Sequence, residues 1–352
     1  MADRLPLPFV ERNSVTSPTT QDGTAALAAL VDLATPFAVR TAVALRLPEL
    51  VRDGRTDAGE LAAASGADPD ALVRLLRHLV SAGLFAEPAP GRYALTPVSE
   101  ALLDDRNALL RAWLDADGPG LRMDLAYGGM LHAVRTGRSA YPAVHGREFW
   151  ADYRADERLR LFFGATMAGF AWQTGPEVAA GYDWAPVSSV LDVGGGTGAL
   201  LHAVLSAHPH LHGAVLDLPE VAPEAEEFLS GAGLGERARF VGGSFLEPLP
   251  TGYDVLLVSR VLTDWPDEDA VRILRRCAEA VAPDGRVLVV EVLAGEEHAK
   301  NNASFDLQSL TLLGGRERAP EAFDVLAAEA GLVARGRRDG ANGLVVLEYA
   351  RA

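Results

Sequence analysis

The sequence predicts an α/β protein in which a helical amino-terminal domain precedes a doubly wound, mostly parallel β-sheet. Three observations lead to this prediction. Short apolar segments alternate with helical periodicity from Val187 onward, and two strand-like segments close the chain with no helix between them. Before them, short helices are followed by a hairpin-like pair of segments. The order of these features predicts at least two domains.

The amino-terminal part has the pattern of a winged helix. Residues 1–22 are polar and rich in Pro, Ser and Thr, so we expect a mobile arm there. Apolar spacing predicts helices over 25–33, 37–47 and 57–64, with Pro48 ending the second of these. Asp68 caps a further helix, and residues 83–87 and 91–97 predict a hairpin. We therefore expect a winged-helix-like domain over residues 23–105.

A winged helix can bind DNA or mediate association, and the charges favour association. Arg74, Arg77 and His78 lie on the helix that would read DNA, but acidic residues surround them. The apolar helices over 25–33 and 37–47 carry more hydrophobic surface than one small domain buries. We therefore expect a homodimer through this domain, and a DNA-binding regulator only as a remote alternative.

Residues 106–180 read as a helical connector that is rich in aromatic side chains. Aromatic residues on connecting helices are usually core, but they also suit a pocket for an aromatic small molecule. We expect this connector to contribute to a substrate pocket. The candidate pocket residues are Phe149, Phe163, Met167, Phe170, Trp172 and, farther along the chain, Asn302.

Residues 181–352 predict the sheet. Strands are expected over 190–193, 213–217, 238–241, 253–259, 286–291, 333–339 and 343–349. Helical segments over 198–207, 222–229, 268–281 and 321–330 separate most of them, which is typical of a parallel, doubly wound sheet. The last two strands should form an antiparallel hairpin at the edge of the sheet.

The run from Val190 to Gly198, VLDVGGGTG, is the most informative motif of the chain. A short apolar strand with an acidic residue, Asp192, leads into a glycine-rich turn and then a helix. Glycines allow a sharp turn and close approach of a ligand, as in nucleotide-binding α/β domains. The nearby carboxylate suits a ligand that carries positive charge. S-adenosylmethionine (SAM) has such sulfonium and ammonium charges, so the motif predicts a SAM-binding domain.

Composition excludes several other classes of protein. The 352 residues carry a formal net charge of −16, which argues against a nucleic-acid partner. Neither a membrane-spanning apolar run nor the apolar region of a signal peptide is found in the sequence. The single cysteine, Cys277, lies in a helical pattern and excludes an intrachain disulfide. These observations predict a cytoplasmic protein.

Several separated motifs, in order, resemble the dimeric small-molecule O-methyltransferases, the family typified by plant caffeate O-methyltransferase. The matching segments are RLLRHL at 74–79, YALTP at 93–97, the glycine loop, DWPDE at 264–268 and GGRER at 314–318. The chain looks most similar to a bacterial branch with carminomycin 4-O-methyltransferase, aclacinomycin 10-hydroxylase and mitomycin 7-O-methyltransferase. The resemblance implies a Rossmann-like SAM methyltransferase domain and a homodimer acting on an aromatic or polyketide small molecule.

The resemblance also implies a set of cofactor-binding residues. Arg160 would pair with the methionyl carboxylate, and Gly194 and Gly196 would pass beneath the ligand. Asp217 would accept hydrogen bonds from the ribose hydroxyls. Ser244 and Phe245 would flank the adenine, and Ser259 would touch the methionyl part. Asp192, the carboxylate before the glycine loop, completes the set. No metal site is expected.

The sequence departs from the family at its catalytic position. Most members have a His-Asp-Trp segment whose histidine acts as general base, whereas this chain has Thr263-Asp264-Trp265. A threonine hydroxyl is not a useful base near neutral pH. The two glutamates that orient the family histidine correspond to Glu291 and Glu317. Thr263, Asp264, Glu291 and Glu317 are thus the candidate catalytic residues.

Three interpretations of this departure remain open. The enzyme methylates an acidic hydroxyl by positioning alone, without a histidine base. Alternatively, His132, His145, Glu291 or Glu317 serves as the base. A third interpretation is a SAM-binding enzyme of the same fold with other chemistry, namely C-methylation, hydroxylation, decarboxylation or rearrangement.

Overall fold

The computed structural model describes residues 30–292 and 296–352, together with Gly23 and Leu27. Side chains are described throughout this part of the chain except at residues 296–302 and Asn342. The predicted arm over residues 1–22 lies outside the described residues. The chain divides into two compact units, Met1–Asp124 and Leu125–Ala352.

The first unit is a set of short helices with one hairpin. Its helices are α1 (Ala34–Ala44), α2 (Leu47–Arg52), α3 (Ala58–Ser65), α4 (Pro69–Ser81), α5 (Pro97–Leu103), α6 (Ala108–Trp113) and α7 (Pro119–Asp124). The antiparallel hairpin pairs β1 (Phe85–Ala89) with β2 (Arg92–Leu95). The Asp57 and Asp68 side chains cap α3 and α4 by accepting hydrogen bonds from Gly59 N and Ala71 N, respectively.

The prediction that Pro48 ends a helix over 37–47 is wrong. Helix α1 stops at Ala44, and Arg46 adopts a left-handed conformation with φ of 55°. Pro48 instead lies in the first turn of α2, where its missing N–H costs no helical hydrogen bond. In and next to the predicted helix over 25–33, the described residues with helical backbone are Gly23, Leu27 and Leu30.

The first unit has its own core and one exposed apolar surface. The core includes Leu47, Leu61, Leu72, Leu76 and Phe85, which are all buried. Large apolar side chains before and within α1 stay exposed: Leu27, Leu30, Val31, Leu33 and Phe37 are between 47% and 83% exposed. We call these five residues the amino-terminal apolar surface.

The second unit begins with helices and continues as an α/β sheet. Its helices are α8 (Met130–Thr136), α9 (Tyr141–His145), α10 (Phe149–Ala155), α11 (Glu157–Gly181), α12 (Ala199–Ala207), α13 (Ala222–Gly231), α14 (Asp267–Ala280), α15 (Glu296–Leu313) and α16 (Pro320–Glu329). Its strands are β3 (Ser189–Val193), β4 (His212–Asp217), β5 (Ala238–Gly242), β6 (Tyr253–Ser259), β7 (Val281–Val292), β8 (Leu332–Asp339) and β9 (Leu344–Arg351).

The seven strands form one sheet in the order β5-β4-β3-β6-β7-β9-β8. Strands β3 to β7 pair in parallel, while β9 pairs antiparallel with both β7 and β8. The predicted terminal hairpin at the sheet edge is therefore confirmed, and β9 rather than β8 contacts the parallel part.

Both faces of this sheet are covered by helices, as a doubly wound fold requires. On one face Leu191 and Val258 pack with Ile273 and Leu274 of α14 and Phe323 of α16. On the other face Val190 and Leu257 pack with Leu201 and Val204 of α12 and Val178 of α11. Because parallel strands share their direction, the residues that follow β3, β4, β6 and β7 meet at one edge, where ligands bind in such folds.

Candidate active site

The glycine loop after β3 forms the centre of this edge. Gly194, Gly196 and Gly198 have φ values of 72°, 57° and 88°, a conformation that favours glycine. A Cβ at Gly194 would lie 2.7 Å from Cγ2 of Val261 and 3.2 Å from Cε1 of Phe245. A Cβ at Gly196 would meet open space. The loop is thus packed on one side and open on the other, where a ligand fits.

Asp192 lies directly beneath this loop and is 1% exposed. Among the described residues, no donor makes a well-aligned hydrogen bond to either carboxylate oxygen, and the Leu201 backbone interacts only weakly with this group. Burial, followed by the charge of Asp217, raises the pKa of Asp192 to about 7, and the Leu201 backbone opposes the shift. A buried acid without a partner is costly, so the arrangement indicates that a cationic ligand completes it.

Asp217 at the end of β4 faces the same loop. Its Oδ2 accepts a hydrogen bond from Gly196 N at 2.8 Å, and its Oδ1 accepts one from Leu218 N at 2.7 Å. Burial still raises the pKa of this carboxyl, and the two backbone donors oppose the rise. Each oxygen keeps a lone pair that could accept a hydroxyl of a ligand.

Arg160 on α11 pairs with Glu224 at the start of α13. Nη2 of Arg160 lies 3.5 Å from Oε1 of Glu224, while Nε is buried without a partner among the described residues. Burial raises the pKa of Tyr153, the nearby charge of Asp217 adds to the rise, and Arg160 opposes it. Tyr153, which sequence reasoning missed here, thus shares the surroundings of Arg160 and Asp217.

These groups fit SAM as the ligand. The partnerless carboxylate of Asp192 matches a cationic centre, the free Nε of Arg160 matches a carboxylate, and Asp217 matches vicinal hydroxyls. The open face of Gly196 leaves room for the ligand backbone. SAM carries all of these groups on one molecule.

Ser244, Phe245 and Ser259 are placed around the loop to different extents. The ring of Phe245 contacts Gly194 and meets Trp265 edge-on at a centroid distance of 5.7 Å. The hydroxyl of Ser244 accepts a hydrogen bond from Leu246 N at 3.2 Å and so shapes its own turn. Ser259 is the half-buried last residue of β6, one strand from the glycine loop.

A short 3₁₀ turn, Leu262–Asp264, carries the candidate catalytic residue Thr263. Thr263 is 2% exposed, and its hydroxyl donates to Oε2 of the buried Glu291 at 2.7 Å. Arg316 N donates to the Thr263 carbonyl at 2.9 Å. The buried Arg318 donates to the carbonyls of Leu262 and Trp265. The turn is therefore held rigidly, with Thr263 against Glu291.

Arg260, which follows β6, is a residue that sequence reasoning missed. It has a left-handed backbone, with φ of 55°. Its guanidinium lies 3.3 Å from Oε2 of Glu291 and faces the rings of Phe170 and Phe305 at 5.8 and 5.3 Å. The sequence contains one indication of a functional role for Arg260, which is a charged residue inside the apolar segment 255–262.

Two further carboxyls near Arg260 have raised pKa values. Burial raises the pKa of Glu317 to about 7, the charge of Arg260 opposes this rise, and Asp306 and Glu291 add to it. Burial likewise raises the pKa of Asp264 to about 7, with Arg260 opposing and Glu291 adding. Burial also raises the pKa of Glu291, against the effects of Arg260 and Thr263. The structure thus brings the four candidate catalytic residues together around Arg260.

The candidate pocket residues divide into three groups. Phe149 and Phe163 belong to an aromatic cluster with Trp150 and Tyr153, and Trp150 stacks on Trp265 at 6.0 Å. Phe170 lies beside Phe305 and Arg260, and Met167 is half-buried on the same helix.

Trp172 and Asn302 are less informative. Trp172 is 46% exposed and packs against His202 and Phe228, on the side of α12 and α13. The side chain of Asn302 lies outside the described residues.

Within the described residues, no group of three or more His, Cys, Asp or Glu side chains is arranged to hold a metal ion. No described helix is both long and apolar enough to cross a membrane.

The fold and the glycine loop, with Asp192 and Asp217 at adjacent strand ends, define a SAM-dependent methyltransferase domain of the Rossmann-like class. Comparison with known families specifies it further. An O-methyltransferase domain matches residues 127–333, and an O-methyltransferase dimerisation domain matches residues 29–105. The chain belongs to this O-methyltransferase family and is a SAM-dependent enzyme of it, as the sequence predicted.

Two curated relatives are similar to this chain over most of its length. The 2,7-dihydroxy-5-methyl-1-naphthoate 7-O-methyltransferase of Streptomyces carzinostaticus is 47% identical over 88% of this chain and 92% of its own length. The aclacinomycin 10-hydroxylase of Streptomyces purpurascens is 38% identical over 94% of this chain and 90% of its own.

A solved structure is similar as well. An O-methyltransferase from neocarzinostatin biosynthesis, in complex with SAM and 2-hydroxy-5-methyl naphthoic acid, has a TM-score of 0.85 and 44% identity, covering 93% of this chain and 98% of that one.

Proposed function

We propose that this O-methyltransferase transfers the methyl group of SAM to a phenolic hydroxyl of an aromatic natural product, with hydroxynaphthoates and related polyketides as the substrate class. One observation carries the proposal: the turn with Thr263 and Arg260 is fixed beside the glycine loop, because Val261 packs against Gly194. The naphthoate-binding relatives, 44% and 47% identical, support the substrate class.

We infer that the chain's own residues position the reaction rather than supply a histidine base. Bound SAM supplies an electrophilic methyl group on a sulfonium. Asp192, Asp217 and Arg160 would hold the cofactor, with Ser244, Phe245 and Ser259 around it, and Thr263 with Glu291 would fix the wall facing the acceptor. Holding two reactants in line accounts for several kcal/mol of a barrier.

We further propose that the active form is a homodimer joined through a winged-helix-like amino-terminal domain. The dimerisation-domain match and the amino-terminal apolar surface support this proposal. Helix α4 followed by the β1–β2 hairpin is the order of elements in a winged helix. The absence of a nucleic-acid partner and a cytoplasmic location stay predictions, supported by the net charge of −16 and the single, buried Cys277.

The test is a panel of hydroxynaphthoates, hydroxynaphthoquinones and simple phenols incubated with SAM and analysed by mass spectrometry. We expect products heavier by one methylene group and an equal amount of S-adenosylhomocysteine. A matched control is Gly196→Trp, which fills the open face of the loop and should abolish both products. Oxygenated products without consumption of SAM would instead support hydroxylase chemistry like that of the aclacinomycin relative.

A further inference from the structure

Arg260 lies at the carboxyl edge of the parallel strands, beside the glycine loop. It directly follows Ser259 at the carboxyl end of β6, which pairs with β3. Its neighbour Val261 packs against the glycine loop, and Thr263 follows in the same turn. The backbone of Arg260 therefore lies beside the glycine loop and three residues before Thr263, while its guanidinium reaches Glu291.

The guanidinium has capacity left for a ligand. Within the described part of the chain, Glu291 is the one hydrogen-bond partner recorded for its side chain, whereas a guanidinium has five N–H donors. Its side chain is 15% exposed, so the protein encloses most of it, and none of its nitrogens is both fully buried and without a partner. The rings of Phe170 and Phe305 face it and limit its movement.

Three features argue against a role as a mere counter-ion of Glu291. The contact is a single hydrogen bond of 3.3 Å, longer than the 2.7–2.9 Å typical of charge-assisted pairs. Glu291 also accepts the shorter hydrogen bond from Thr263. The left-handed backbone of Arg260 is a strained conformation for a residue other than glycine, and such strain is concentrated at functional sites.

We propose that Arg260 binds the reacting oxygen of the acceptor as a phenolate and thereby takes over the role of the histidine base in the family motif. This inference rests on the proposed function. A nearby cation favours the ionised form of a phenol, which then loses its proton to water on binding. In the transfer, the phenolate oxygen forms the bond to the methyl carbon while the carbon–sulfur bond breaks and its electron pair stays on sulfur.

The test measures ionisation of a bound phenol without any turnover. 2-Naphthol and 3-hydroxy-2-naphthoic acid are titrated into the full-length protein saturated with S-adenosylhomocysteine, and naphtholate absorbance is followed against pH. In the wild type we expect both probes to bind ionised well below their pKa values in water. Arg260→Gln should raise the apparent pKa of the bound probes by about one unit or more, while Arg260→Lys keeps part of the shift.

The double variant Arg260→Gln/Glu291→Gln distinguishes phenolate binding by Arg260 from a role as the counter-ion of Glu291. If Arg260 only neutralised Glu291, the double variant would restore ionisation of the probe, which would overturn the proposal. Wild-type protein that binds the probes protonated, or binds neither, would overturn it too.

A third result that would overturn the proposal is an Arg260→Gln variant that weakens only the naphthoate and leaves its ionisation unchanged, since Arg260 would then bind the carboxylate. Calorimetry with S-adenosylhomocysteine checks that each variant is folded. Because the probe experiment needs no methyl transfer, its failure is distinct from a panel that yields no methylated product.

Discussion

At the scale of single residues, the partnerless carboxylate of Asp192 combines a cost in stability with a role in binding. Its pKa of about 7 in the folded protein lies above the ordinary aspartate value of 3.8, so the folded protein holds a proton that the unfolded chain has lost between these pH values. This group therefore lowers the free energy of unfolding as pH rises from about 4 to about 7. A bound cationic ligand reverses the preference of Asp192 for its protonated form, because it favours the charged carboxylate.

We predict that Asp192→Asn stabilises the ligand-free protein above pH 7 and weakens SAM binding. The melting temperature should rise by about 2 °C or more, since about 1 kcal/mol shifts a chain of this size by that amount. Affinity of the wild type for SAM should increase with pH up to about 7 and then level off, a dependence that the variant loses. Calorimetry and thermal unfolding across pH 5–9 measure both effects, and a variant with unchanged affinity would contradict the assigned role.

Thr263 is the residue whose substitution tests the positioning mechanism. Thr263→Ala should lower turnover only about ten-fold or less, because no proton-transfer contribution of roughly 100- to 10,000-fold is removed. It should also cost about 1–3 kcal/mol of stability, because Glu291 loses its shortest hydrogen bond. Thr263→Ser keeps the donor and serves as the control. Steady-state kinetics on the acceptor found in the panel and denaturant unfolding give the two numbers.

An inactive Thr263→Ala that still binds SAM normally would assign the hydroxyl a direct chemical role. Thr263→His offers the complementary experiment, since Glu291 could then orient an imidazole. We expect that variant to gain activity on less acidic hydroxyls.

The sequence was enough to identify the cofactor-binding residues at the carboxyl edge of the parallel strands, but not the side chains that surround them. A motif such as VLDVGGGTG places Asp192, Gly194 and Gly196 from local pattern alone. Arg260 and Tyr153 become visible only through contacts between distant segments, since Arg260 meets Glu291, Phe170 and Phe305 from three different elements. The hydrogen bond from Thr263 to Glu291 likewise spans 28 positions of the chain.

At the scale of elements, the turn Leu262–Asp264 and the segment Gly314–Arg318 hold each other in place by hydrogen bonds and close backbone contact. Arg318 donates to Asp267 at 2.8 and 3.0 Å as well as to two carbonyls of the turn. A Cβ at Gly315 would overlap the carbonyl oxygen of Thr263. The two segments thus approach as closely as backbone allows.

We predict that Gly315→Ala separates these segments and lowers kcat/KM by about 100-fold, because a displacement of about 1 Å near reacting groups has that effect. SAM affinity should change little, since the glycine loop is not touched. Gly231→Ala at the end of α13, where a Cβ meets open space, is the matched control and should remain fully active. Wild-type kinetics in Gly315→Ala would show that this close contact does not position the acceptor.

Helices and strands could be predicted from the sequence where their pattern of buried and exposed residues is simple. Strand β6 was predicted with its observed bounds, since it is a short, continuous apolar run buried on both faces. Strand β7 begins at Val281 rather than at 286, because its Pro-Asp-Gly stretch resembles a turn but stays in the strand with an irregular register. Helix α15 was missed; its sequence mixes charged, polar and apolar residues with little separation into faces.

At the scale of the whole molecule, we expect the amino-terminal apolar surface to form the dimer interface. We predict that Leu30→Asp/Leu33→Asp converts a dimer into a monomer and reduces activity at least about ten-fold. Both side chains are more than 70% exposed in the single chain, so the charges disturb no internal core. Val325→Asp, an exposed apolar position on α16, is the control and should stay dimeric.

Light scattering at micromolar concentration distinguishes the two states. A wild-type chain that is a stable monomer would contradict the dimer. Salt-dependent binding to duplex DNA would favour the regulator alternative.

The position of β9 has a consequence for the order in which the strands of the second unit can assemble. Strand β8 reaches the sheet only through β9, although β8 precedes it in the chain. During synthesis, therefore, β8 leaves the ribosome before β9, the strand it pairs with, has been made, and β8 can take its final place only after β9 has followed. A chain cut before residue 344 would lose two strands of the sheet rather than one, and β7 would be left as an open edge available to other chains.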